Sequence, residues 1–181
     1  MTFTPIPMPE IETERLVLRG WRAEDFDCVA ALFGDEDNAR YIGGVKPDWQ
    51  AWRHMAMIYG HWHLRGFMPF VVQPKNADDA IGYVGPWYPY GWPEPEIGYA
   101  LVPGSHGKGY ATEASIASLA YAYQHMGWST TMSLIDAKNE GSKNVARKMG
   151  AVFEREETLF GEFEAELWRH LPADQFLERH S

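Results

Sequence analysis

A chain of 181 residues with 45% hydrophobic side chains has the size and apolar content of one domain, spanning 1–181, with a substantial core. Its formal charge of −9, from 16 basic and 25 acidic side chains, argues against a nucleic-acid binder, which needs a basic face to neutralise phosphates, and suits solubility or a cationic substrate. Cys28 is the only cysteine, so an internal disulfide and cysteine-rich zinc chemistry are excluded; with no apolar run of membrane-spanning length, and no signal-peptide blocks in MTFTPIPMPE, a cytoplasmic protein free of membrane partners is expected.

From Ile11 to Arg19 the chain reads IETERLVLR, where Arg15, Val17 and Arg19 alternate with Leu16 and Leu18 at the period of a half-buried first strand. The spacing of Phe26, Val29, Ala30 and Phe33 predicts a helix over Ala23 to Phe33, with Asp25 and Asp27 near its positive end and Gly34 as its stop. Trp49, Trp52, Ala56, Tyr59 and Trp62 predict a second helix ending by Gly66, their stripe turned to the core. Three strands follow as an antiparallel meander: Phe67 to Val72, which Pro69 pushes toward an edge or bulge, Ala80 to Val84, and Glu96 to Val102. Between the last two, GPWYPYGWPEP (Gly85 to Pro95) predicts a rigid aromatic loop that walls a pocket, caps a core or joins subunits.

His106 to Ala114, HGKGYATEA, is a glycine-punctuated turn feeding the alanine-rich segment Ser115 to Tyr123, a helix that stops near Gly127. Gly107 and Gly109 allow a ligand close to the main chain, and the first turn of a helix leaves N–H groups free at its positive pole, so a pyrophosphate is a natural occupant. The nucleotide P-loop is excluded because Lys108 is followed by Gly109 and Val102 stands where its first glycine belongs; the dinucleotide fingerprint is excluded because Thr112 replaces its third. Beyond the helix, Thr130 to Ile135 reads as a strand, Glu140 to Met149 as a helix with Gly150 as its left-handed stop, and Val152 to Thr158 with Phe163 to Trp168 as a hairpin about Gly161. Pro172 to Arg179 adds a short helix. The seven histidines show no metal pattern, since His61 and His63 are two apart and diverge on a helix, and no serine sits on the elbow of a Ser-His-Asp site.

HGKGYATEA resembles the acyl-CoA-binding turn of the GNAT N-acetyltransferases, in the branch of the ribosomal-protein N-terminal acetyltransferases. IETERLVLR is similar to the first strand of that branch, and NEGSKNVARKMG, Asn139 to Gly150, to its Asn-x-x-Ser helix. The resemblance implies an α/β (α+β) GNAT fold: a mixed, mainly antiparallel twisted sheet with helices on both faces, and acetyl-CoA lying where two central strands splay apart. It implies acetyl-CoA binding by Val102, Gly107, Lys108, Gly109, Tyr110, Ala111 and Thr112, with Asn139 on the pantetheine arm. His106 departs from the Gln or Arg usual at that position, which removes a permanent charge near the phosphates.

An amine attacks a thioester only with its lone pair free, so a base and an acid are wanted. The resemblance places Glu96 opposite the acceptor amine as the base, with Glu162 and Glu164 in reserve, and Ser142 near the thioester sulfur as the acid; Ser142 is equally suited to capping the helix that begins near Glu140. The expected activity is acetyl transfer to a primary amine, a protein N-terminus or a small molecule, by a monomer or homodimer without a metal. The alternative is a non-catalytic CoA-responsive binding module that keeps the turn and lacks the acid and base.

Overall fold

In the computed structural model the described residues are 8–180, so residues 1–7 of the stretch read for targeting signals lie outside them. Eight strands form one sheet: β1 (Ile11–Glu12), β2 (Leu16–Arg19), β3 (Phe70–Pro74), β4 (Gly82–Trp87), β5 (Glu96–Leu101), β6 (Met132–Ile135), β7 (Val152–Leu159) and β8 (Phe163–Arg169), in the order β1-β2-β3-β4-β5-β6-β8-β7. The helices are α1 (Phe26–Gly34), α2 (Glu36–Ala39), α3 (Asp48–Arg65), α4 (Tyr110–His125), α5 (Glu140–Lys148) and α6 (Ala173–Arg179). Every strand pair is antiparallel except β5 with β6. This is the mixed, mainly antiparallel α/β fold that the sequence implies.

Side-chain alternation divides the core between two faces of the sheet. Val84 and Leu101 pack with Phe70 and Ala114 beneath α4, whereas their neighbours Tyr83 and Ala100 pack with Leu32 of α1 and Ile58 of α3. Successive strand residues point to opposite faces, so α4 covers one and the α1–α3 pair the other.

Four expectations change. IETERLVLR is not one strand: Thr13 Oγ1 accepts the Leu16 N–H at 3.0 Å and the Thr13 N–H donates to Leu16 O at 2.9 Å, folding the segment so that Ile11 pairs with Leu18. The first turn expected of the α1 helix is a 3-10 turn, Ala23 to Asp25; there Asp25 Oδ2 accepts the Arg22 N–H at 2.7 Å, and the carboxylate also meets Arg19 in a bidentate pair at 2.9 and 2.7 Å, both side chains 4% exposed. The buried face of α3 runs through Ala51, Met55, Ile58 and His61, while Trp49 is 58% and Trp52 49% exposed. The two tryptophans flank that face, and Trp52 covers Phe26 edge-on at 5.4 Å. Finally, β4 continues through Gly85, Pro86 and Trp87, the first residues of the aromatic loop. Its pairing with β3 ends at Val84, so Pro86 forfeits no bond on that side.

Candidate active site

β5 and β6 share one register pair, Glu96 with Met132, and then diverge. Side chains of the facing segment take up carbonyls at the seam: Thr131 Oγ1 donates at 2.6 Å to Pro95 O, which also accepts the Met132 N–H at 3.4 Å, and Ser133 Oγ donates to Ile97 O at 2.7 Å. Such substitution is what lets a parallel pair open inside a buried sheet without orphaned polar groups. On the far side of the divergence lies a cleft of about 580 Å³ between the glycine turn, α2 and α5.

The glycine turn forms one wall. Gly107 and Gly109 have φ of 74° and 83°, and Gly109 is the residue from which the sixteen-residue α4 starts. A Cβ on Gly107 would meet nothing within 4 Å, so the main chain there stands open. Tyr110, Ala111 and Thr112 follow along the same wall. Unpartnered amides at the positive end of a long helix, beside a cleft of this volume, suit the phosphates of an acyl-CoA. Val102 and Lys108 are not among the lining residues: the Val102 N–H donates to Ile81 O at 2.9 Å, and Lys108 gives its carbonyl to Arg15 Nη1 at 2.9 Å.

Arg15, which the sequence did not single out, supports the turn from outside the residues that line the cleft. Its guanidinium grips Glu113 of α4 at 2.7 and 2.6 Å, holds Lys108 O, and lies 4.8 Å over the Tyr110 ring. A Cβ on Gly109 would come 3.3 Å from Arg15 Nη2. The first hairpin thus clamps the turn from outside and brings a permanent cation beside it. His106, at the position where the resemblance expects Gln or Arg, uses Nε2 to donate to Leu101 O at 2.8 Å, which folds the loop back on β5.

α5 forms the other wall. The cap of this helix is Asn139, whose Oδ1 accepts the Ser142 N–H at 3.0 Å. The capping role considered for Ser142 therefore belongs to Asn139, three residues earlier. Both line the cleft, and the Ser142 carbonyl accepts a 3.0 Å bond from the Tyr99 hydroxyl of β5, a cross-link over the divergence. Tyr99 carries no motif; its strand-face position was the one available signal.

Glu96 closes the narrow end of the splay. It is 7% exposed, with Oε1 accepting the Leu134 N–H at 2.9 Å and Oε2 the Trp92 indole N–H at 2.6 Å. The carboxylate thus replaces the backbone acceptor that β6 loses where the strands part. Burial raises its pKa from 4.5 to about 7, and the two N–H donors restrain that rise. Glu96 lies on the face of the sheet shared by Ala100 and Tyr83, the α1–α3 side. On that face a Cβ at Gly98 would find only Glu96 Cδ, at 3.9 Å, so there is room for a small group beside the carboxylate, although neither Glu96 nor Gly98 is among the residues lining the cleft. Glu162 and Glu164 are on the β7–β8 hairpin, where Glu164 bonds Thr158 at 3.1 and 3.0 Å.

Residues 15–152 match the family of the Acetyltransferase (GNAT) domain. The chain belongs to the GNAT acetyltransferase family. As a GNAT protein it is an acyl-CoA-dependent acyltransferase, and the family's acyl donor is acetyl-CoA. The uncharacterized N-acetyltransferase YoaA of Bacillus subtilis (strain 168) is 25% identical over 155 residues, 83% of this chain and 86% of its own. An acetyltransferase from Agrobacterium tumefaciens str. C58 shares the fold with a TM-score of 0.82 and 23% identity, over 94% of this chain and 99% of that one. The ribosomal-protein-S5-alanine acetyltransferase from Vibrio fischeri shares it with a TM-score of 0.71 and 20% identity, over 92% and 98%. Among the described residues no helix of this GNAT chain is long and apolar enough to cross a membrane, and no group of three His, Cys, Asp or Glu is placed to hold a metal.

Proposed function

We propose that this chain transfers the acetyl group of acetyl-CoA to a primary amine of modest basicity, a protein N-terminal α-amine or a small-molecule amine, by direct attack with Glu96 as the base. The observation that carries the proposal is the buried Glu96 carboxylate at the splay, with room for a small group at Gly98 beside it. Its pKa of about 7 matches the working pH of a general base. An α-amine near pKa 8 is neutral in roughly one molecule in ten at pH 7, against about one in a few thousand for a lysine amine, so a single carboxylate suits the former. The S5-alanine acetyltransferase with the same fold acts, by its name, on a ribosomal protein.

In the proposed reaction Gly107, Gly109 and the first turn of α4 receive the pyrophosphate, Asn139 donates from its amide to the pantetheine arm, and Tyr110, Ala111 and Thr112 line its path. The amine nitrogen attacks the thioester carbonyl, the C–S bond breaks, and the nitrogen's proton passes to Glu96. Ser142 gives a proton to the departing thiolate and regains one from solvent, to which Glu96 releases the proton it took. Holding the two reactants in line across the splay supplies the main rate advantage.

The test is CoA release from acetyl-CoA with a panel of small amines and N-terminal peptides. Glu96→Gln should lower turnover roughly a hundredfold at neutral pH, leave acetyl-CoA affinity by calorimetry unchanged, and recover partly at higher pH, where more amine is already neutral. Parent-like turnover by that variant from pH 6 to 9 would remove Glu96 as the base and pass the question to Glu162 and Glu164. Tight acetyl-CoA binding with no amine turned over would favour the binding-module alternative.

A further inference from the structure

Trp92, whose indole N–H donates to Glu96 Oε2 at 2.6 Å, is held from the opposite end of the sheet. Phe160, at the tip of the β7–β8 hairpin, lies 5.9 Å from it ring to ring and fills the notch over Gly91, where an added Cβ would overlap Phe160 Cε1. The turn presenting this ring runs against its own sequence. Phe160 and Gly161 have φ of 56° and 72°, and the Glu162 N–H donates to Leu159 O at 3.0 Å. Positive φ at both central positions is the hairpin geometry for which Asn-Gly is favoured. A bulky residue in the left-handed region is an outlier, kept where its surroundings over-determine it. Here those surroundings are Gly91 and Trp92. Glu94 fastens the same two elements, accepting from Arg169 Nη2 of β8 at 2.8 Å and lying 3.9 Å from Arg155 of β7.

We infer that Trp92 is a positioning residue for Glu96, orienting its carboxylate through the indole N–H, and that Phe160 braces Trp92 for that task. The inference rests on Glu96 being the base. Among the described residues no cation pairs with Glu96; its other donor is Leu134 N–H of β6, and the ionisable groups that interact with it are the phenols of Tyr83 on β4 and Tyr99 on β5, both kept neutral because burial raises them. Burial, which favours the protonated form of Glu96, is therefore opposed by its two donors, and loosening one moves the pH at which it takes up a proton.

Two readouts test this. In ¹⁵N–¹H spectra from pH 5 to 9, the Trp92 indole N–H, assigned by its loss in Trp92→Phe, should titrate with Glu96 and stop titrating in Glu96→Gln. Phe160→Asn, which suits the turn, should raise the midpoint of that titration; an unmoved midpoint overturns the brace. In kcat/KM profiles, Trp92→Phe should move the acidic limb up by about one pH unit or more, the size expected for one hydrogen bond to a charged group, and adding Phe160→Asn should move it no further. A limb that stays in place in folded Trp92→Phe overturns the inference, as does an indole resonance that ignores pH. A kinetic limb that survives Glu96→Gln while the indole titrates normally locates the failure in the base assignment instead.

Discussion

Glutamine at position 96 converts the buried carboxylate into a neutral group, so the difference in stability between parent and variant across pH reports the ionisation of Glu96 alone. Burial raises this carboxyl from 4.5 to about 7 in the native protein. The native state therefore holds the proton more tightly than the unfolded chain, unfolding releases it between those two values, and stability falls as pH rises through that window. The interval, at about 1.4 kcal/mol per pH unit, comes to about 3 kcal/mol, fully present below pH 4.5 and lost above pH 7. Other titrating groups are common to both proteins and cancel. The glutamine NH₂ opposes one of the two N–H donors, Leu134 or Trp92, which adds a penalty independent of pH. Urea unfolding from pH 4.5 to 8 should thus show the parent losing about 3 kcal/mol relative to Glu96→Gln, or roughly 6–12 °C in relative Tm for a chain of this size. A difference that stays constant over the range would refute a buried carboxyl of raised pKa at the splay.

Ser142 and Asn139 should separate cleanly. Asn139→Ala loses the cap of α5 and about 1 kcal/mol of folding free energy in a denaturant melt; Ser142→Ala loses no cap, so kcat should fall with little change in stability, and the deficit should shrink with an acyl donor whose thiol is more acidic. A parental kcat in Ser142→Ala would end its role as proton donor. Arg19→Met leaves Asp25 buried without its cation, which should cost about 3–5 kcal/mol by urea unfolding while acetyl-CoA affinity in the surviving native fraction is unchanged.

Most of the fold was legible because its signals are local. Periodicity located α1 and α3, the Asn-x-x-Ser pattern α5 and the Gly161 turn the closing hairpin, and left-handed glycines mark the stops at Gly66 and Gly150 and the start of α4 at Gly109. The misreadings have a common cause. Thr13 breaks the first strand through its own side chain, and Trp49 and Trp52 keep helical spacing while lying beside the buried stripe, so periodicity alone could distinguish neither. In the candidate site the glycine turn and the cap region announce themselves by residue type, because both depend on backbone chemistry. Arg15 and Tyr99 do not, because each reaches a partner that only the tertiary fold brings near, Glu113 and Ser142; Trp92 stands four residues from Glu96, but no residue pattern marks an indole aimed at a carboxylate. Glu96 itself was visible as a strand-end acid, but its burial was not, since that depends on β6 arriving alongside.

The divergence of β5 and β6 also makes the sheet two mechanical panels. Strands β1 to β5 form one and β6, β8 and β7 the other, and along the seam they share the Glu96–Met132 rung, with stitches from Thr131, Ser133 and Glu96 at one end and the Tyr99 tie to α5 farther along. A molecule seated in the cleft would bridge the panels as a spar. Strands β7 and β8 do not line the cleft, so slower hydrogen exchange in them on adding acetyl-CoA is the expected sign that loading the site stiffens the far edge, and unchanged exchange there would show the panels uncoupled.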